Sequence, residues 1–183
     1  MKRQLSITFL LIFLALSAAA QKTNEDIQKQ IKSLKAEKQI TLTFDGGSTK
    51  IMAIADNFAD SEAKSAGIQA MNFGMAFNYA GKDLAAPPET INFTFWVMSK
   101  KPKFGDAHAW KATIGTETLD LGDARYAAKT NENMEYLNFK LTRDDLAKIA
   151  NSTGKIALGT ANFTFTASQL TLLRNIIAVS DSH

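Results

Sequence analysis

The chain has 183 residues, of which 21 are basic and 18 acidic, giving a formal charge of +3, and it contains no cysteine. Without thiols there is no thiol catalysis, thiolate metal site, lipid-modified cysteine or disulfide, so the fold must stand on packing alone. Lys2 and Arg3 belong to a leader-like segment, and the remaining 163 residues carry 19 basic against 18 acidic groups. So small an excess gives little long-range field to draw the domain onto nucleic acid or an anionic membrane.

The leader reads Met1-Lys2-Arg3, an apolar run over residues 5–16 broken only by Ser6 and Thr8, then Ser17-Ala18-Ala19-Ala20. Positive charge, a short apolar stretch and small residues at Ala18 and Ala20 are the three parts of a cleavable secretory signal. Spanning a bilayer takes roughly 20 apolar residues, and this run is shorter. Residues 1–20 are therefore expected to be removed, leaving Gln21 first and no stable membrane anchor. The expected location is exported, periplasmic or secreted, with a bacterial origin suggested by the cysteine-free export pattern.

Residues 21–38 are strongly charged, with Ile27, Ile31 and Leu34 on one helical face. This predicts a short amphipathic helix that either docks on the domain or serves as a spacer. Ile40, Leu42 and Phe44 then alternate with polar residues, which predicts a strand buried on that face. Asp45-Gly46-Gly47-Ser48 turns the chain into a returning strand over 50–55. A polar loop follows over 56–67, with at most one helical turn.

Over 71–79 the alternation is sharpest. Met71, Phe73, Met75, Phe77 and Tyr79 share one face, and the small residues Asn72, Gly74, Ala76 and Asn78 share the other. The small face implies close approach by a helix or a neighbouring sheet. Ile91, Phe93, Phe95 and Val97 mark the next strand. Further strands are expected at 109–114, 117–121, 124–129 and around Leu137, Phe139 and Leu141. Thr142-Arg143-Asp144-Asp145 and Thr166-Ala167-Ser168-Gln169 each place a threonine three residues before a side chain that can reach back, which predicts two capped helices. Between them a hairpin turns at Gly159-Thr160.

These elements predict a mainly β fold, all-β to α+β. The expected form is an antiparallel β-sandwich or flattened barrel with a short N-terminal helix and two C-terminal helical segments. One β-rich domain over 39–180 is expected. Alternating βαβ units are missing, which excludes a doubly wound nucleotide-binding fold.

Candidate chemistry is sparse. His108, with Asp106 two residues earlier, is the one pair with general-base character, but no Gly-x-Ser-x-Gly elbow accompanies it. Asp56, Asp60 and Glu62 share a loop and could hold calcium, although Phe58 occupies one of the alternate positions. Two histidines and no cysteine leave too few good ligands for zinc, and no cofactor is implied. Trp96 falls on the outward face of its strand, where it could anchor a partner or a sugar ring, or lie under a packed helix, the arrangement expected here. The 71–79 stripe reads as core, with an apolar-ligand cavity as the alternative. Three Asn-x-Thr tripeptides, at Asn92, Asn151 and Asn162, read as coincidence. The chain is expected to be a non-catalytic binding or interaction domain for an unknown protein or small ligand. The alternatives are a small hydrolase using His108, or a carrier of an apolar ligand.

Overall fold

A computed structural model describes residues 21–181, together with the backbone but not the side chain of Thr130. Residues 1–20, expected from the sequence to be a cleavable leader, lie outside the described residues, as do Ser182 and His183. The described chain begins with β1 (Lys22–Thr23) and α1 (Asn24–Ser33). Thr23 caps α1 with a full capping box: its hydroxyl accepts from Asp26 N, and the Asp26 carboxylate accepts from Thr23 N. Ile27 and Ile31 are fully buried, so the helix docks rather than acting as a spacer.

The hairpin of β2 (Ile40–Asp45) and β3 (Ser48–Ile54) is closed by Gly46 and Gly47, at φ +55° and +80°. Two positive values in a two-residue loop are the turn that matches strand twist, and glycine takes it without strain. The expected inward face of β2 fades along its length. Ile40 is buried and Leu42 half-buried, but Phe44 is exposed, with Lys82 Nζ 5.0 Å above its ring. β2 is an edge strand, and its far end runs past the core.

The polar loop after β3 holds a short helix, α2 (Asp60–Ser65). Then come β4 (Ala70–Ala80), β5 (Asp83–Leu84) and β6 (Thr90–Met98). β7 (Ala109–Ile114), β8 (Glu117–Asp123) and β9 (Arg125–Lys129) follow, then β10 (Met134–Thr142). β8 is longer than its alternation implies. It continues through an irregular pairing with β7, where Gly122 N donates to Asp120 Oδ1 at 2.9 Å. α3 (Arg143–Ala150), β11 (Lys155–Leu158), β12 (Ala161–Thr164) and α4 (Ala167–Ser180) complete the order.

The fold is mainly β and antiparallel. A six-stranded sheet runs β2-β3-β4-β6-β10-β9, a four-stranded sheet β12-β11-β7-β8, and β1 pairs with β5. Between the two larger sheets lies an aromatic core. The Trp110 ring is 4.7 Å from Phe93, 5.0 Å from Phe95 and 5.1 Å from Phe139, and Phe73 stacks on Phe93 at 4.8 Å. The bulky face of β4 is therefore filled by neighbouring side chains. The helices close the rest of the same core through Ile27 and Ile31 of α1, Leu146 and Ile149 of α3, and Leu172, Leu173 and Ile176 of α4.

α4 starts and ends with built contacts. Thr166 and Gln169 form a reciprocal capping box, and Gln169 Nε2 also donates to Asp56 O at 2.8 Å. At its other end α4 has no basic residue of its own in the last turn. Lys22 takes that place from β1: its Nζ reaches Asp181 O at 2.9 Å and Ala178 O at 3.3 Å, while Arg143 pairs with Asp181. Cations there satisfy orphan carbonyls and offset the helix dipole. Burial holds the Lys22 pKa below its usual value, opposed by the negative charges of Asp181 and Asp26. The cap on α3 is partial, since Thr142 accepts from Asp145 N but its reciprocal bond comes from the Thr142 hydroxyl, not the backbone.

No helix among the described residues is long and apolar enough to cross a membrane. Phe73→Ala is expected to lower unfolding free energy by about 3–5 kcal/mol, because the ring fills a closed core. Phe44→Ala on the exposed edge should change it by less than about 0.5 kcal/mol. Urea denaturation of both variants checks the contrast.

Candidate functional site

His108 and Asp106 do not meet. His108 Nδ1 donates to Phe104 O at 3.2 Å, and its ring stacks on Tyr126 at 5.8 Å between centroids. Asp106 is exposed and makes no hydrogen bond among the described residues. No serine or threonine hydroxyl is hydrogen-bonded to the imidazole among those residues, so the nucleophile–base contact of a hydrolase is not formed there.

Asp56, Asp60 and Glu62 are also turned to other uses. Asp60 and Glu62 sit in the first turn of α2, Glu62 accepts from Thr164 N at 3.2 Å, and the Asp56 carbonyl holds Gln169. Among the described residues no three His, Cys, Asp or Glu side chains gather as a metal cluster.

A carboxylate that was not singled out from the sequence is the one built into the interior. Glu135 is 2% exposed and lies on the inward-facing side of β10, in phase with Leu137, Phe139 and Leu141. Its two oxygens accept from Lys103 N and Phe104 N at 2.9 Å and from the Tyr126 hydroxyl at 3.1 Å. The Ser99 hydroxyl is 3.0 Å from Oε2 and 2.8 Å from Lys101 O, one proton between two acceptors. No cation pairs with Glu135 among the described residues; hydrogen bonds alone hold it. The carboxylate thereby fixes the loop over 99–108, the same loop that carries His108. The hollow beside it is only about 60 Å³, room for a water or two. This is scaffold chemistry. The signal for it was legible, since a glutamate stood in phase with an apolar face.

The open surface lies on the other side of the six-stranded sheet. Trp96 faces outward as its strand phase requires, but no helix among the described residues covers it, contrary to the expectation from sequence. All the packed helices bury their apolar stripes on the inner face. Trp96 instead lies half-buried across β4. A Cβ at Gly74 would overlap its ring, with Cζ3 at 3.0 Å, and the Ala53 carbonyl closes the same gap. The small face of β4 is thus explained by an indole from the neighbouring strand. Tyr136 sits directly opposite Trp96 on β10, and Asn72 opposite it on β4.

The next row along the sheet is Gly74, Thr94, Asn138 and Arg125. Thr94 Oγ1 donates to Asn138 Oδ1 at 2.8 Å, and Asn138 Nδ2 donates to Arg125 O at 3.1 Å, so the Asn138 amide is oriented from two sides. The third row adds Ala76, Asn92 and Lys140. Where β8 crosses from the smaller sheet to become β9, Leu121 and Asp123 wall off a cleft of about 580 Å³ over these residues. That volume suits a small ligand or part of a chain. No protein-family model, curated protein or solved structure matches this chain.

Glu135→Ala leaves two backbone N–H groups and a phenol without their acceptor. A loss of about 3 kcal/mol is expected, with faster amide exchange at Lys103 and Phe104. The Tyr126 pKa is pushed up to about 12, by burial first and by the Glu135 charge and hydrogen bond next. Raised in the folded state, it contributes stability in full below pH 10, lost as the pH climbs through about 12. Absorbance titration at 295 nm should show one phenol ionising at about 12, and Tyr126→Phe should remove that step.

Proposed function

We propose that this chain is an exported, non-catalytic binding domain of bacterial origin, working in the periplasm or outside the cell. Its ligand face is the open side of the six-stranded sheet around Trp96. The single observation that carries the reading is this half-buried indole, seated on Gly74 beside Tyr136 on a face that no helix among the described residues covers. A large rigid aromatic on an open surface is the usual anchor of a recognition site, and here it lies beside Asn72, Met98 and Met134. His108, Asp106 and Glu62 point the same way by default, because each is exposed to solvent or engaged by the scaffold.

Export is supported by the leader pattern of residues 1–20 and the absence of cysteine.

Two measurements test the reading. Produced with its own leader, the protein should appear outside the cytoplasm with a mass beginning at Gln21; a full-length product held in the membrane overturns the export half. Immobilised on a support, the domain should retain a component of the cell envelope that the folded Trp96→Ala variant lets pass. Equal retention by both, or a hydrolytic activity lost in His108→Ala, overturns the binding half.

A further inference from the structure

The open face carries more chemistry than one aromatic. Trp96 and Tyr136 are adjacent across a strand pair, two flat rings on neighbouring strands. Four residues along β6, about 13 Å at the usual rise per residue, the face ends in Asn92 and Lys140. Between them lies the Thr94–Asn138 pair, already fixed by its own hydrogen bonds. The side chains of Asn72, Asn92, Arg125 and Lys140 make no hydrogen bond to protein among the described residues, and those of Asn92, Arg125 and Lys140 are exposed. The surface therefore offers stacking rings at one end and unused amide and cationic donors at the other.

Charge narrows the ligand. In the cleft, Arg125 and Lys140 stand against the single carboxylate Asp123. Lys129, 5.9 Å from the Tyr136 ring, is paired with Glu132 at 3.3 Å and adds no net charge. The domain as a whole is nearly neutral, so the excess in the cleft is local. Two cations spaced among amides suit a ligand with isolated carboxylates and many hydroxyls. They do not suit a densely charged phosphate chain, which calls for a continuous basic track.

We infer that the cleft and the Trp96 platform together bind an acidic polysaccharide, a chain of uronate-bearing sugars. One sugar ring stacks on Trp96 while Arg125 and Lys140 pair with carboxylates further along. This rests on the binding-domain reading and names its ligand class. Arginine matches a carboxylate with two parallel donors, and the unengaged amides of Asn72 and Asn92 meet hydroxyls with both a donor and an acceptor.

The two tryptophans supply the readout. Trp110 is fully buried and Trp96 half-exposed, so acrylamide quenching of the intact protein reports on Trp96. An oligogalacturonate should protect Trp96 from quenching, and calorimetry should show at least tenfold weaker binding for a neutral oligosaccharide of the same length. Trp96→Ala and the double variant Arg125→Glu/Lys140→Glu should each weaken oligogalacturonate binding tenfold or more. Trp96→Phe, which keeps a ring, should restore part of the loss. Near-ultraviolet dichroism from Trp110 confirms that each variant is folded. If polyglutamate binds as well as oligogalacturonate and Trp96→Ala changes neither, the face is only a cation patch and the saccharide assignment fails. If oligogalacturonate leaves Trp96 unprotected while an envelope protein or peptide protects it, the ligand class is wrong and the binding face stands. If no envelope component of any class protects Trp96, both readings fall.

Discussion

One indole sits at the centre of the contact between the two sheets. Trp110 rises from the smaller sheet into a socket of Phe93, Phe95 and Phe139 on the larger, with Phe165 at 6.5 Å leading into α4. A chain without disulfides relies on such contacts, each worth a fraction of a kcal/mol to about 1.5 kcal/mol beyond the area it buries. The Trp110 Nε1–H is buried and has no acceptor among the described residues. An unpaired donor of that kind costs on the order of 1–3 kcal/mol. Packing of the ring against Phe93, Phe95 and Phe139 offsets that cost.

Around that centre, polar groups are assigned to scaffold or to surface with little overlap. Glu135, buried with hydrogen bonds to backbone and phenol, ties the loop over 99–108 to β10 and leaves His108 stacked against Tyr126. Lys22, Gln169 and Arg143 secure the two ends of α4. The outer side of the six-stranded sheet keeps Asn72, Asn92, Arg125 and Lys140, whose side chains make no protein hydrogen bond among the described residues. The division follows from the helices. Their apolar stripes need the inner face, so the outer face of the sheet is free to remain polar and open.

Much of this was legible in the sequence where the signal was local. Alternation fixed the inward residues of β4 and β6, paired glycines fixed the β2–β3 hairpin, and Thr166 with Gln169 fixed the start of α4. Trp96 was read as outward-facing from strand phase alone. Its cover was misjudged, because whether a helix reaches a given face depends on packing between distant segments. The pairing of Gly74 with the Trp96 ring depends on β4 and β6 being neighbours across β5, which no local pattern encodes. The cleft bounded by Leu121, Asp123, Arg125 and Lys140 exists only because β8 leaves one sheet and continues as β9 in the other. Glu135 is a different case: its phase with Leu137 and Phe139 was visible, and the weight of that phase was missed.

Lys22 and Asp181 are in contact although nearly the whole described chain separates them. The first strand to emerge during synthesis therefore waits for the last helix before the core can close. Until α4 is present, the inner face of the larger sheet lacks Leu172, Leu173 and Ile176, and the partial structure has an open apolar side. Contacts of such long sequence separation make folding slow relative to helical proteins of similar size. The proximity of Lys22 and Asp181 means that a short bridge could join the two ends of the described chain, making the order of its elements a matter of where the circle is cut.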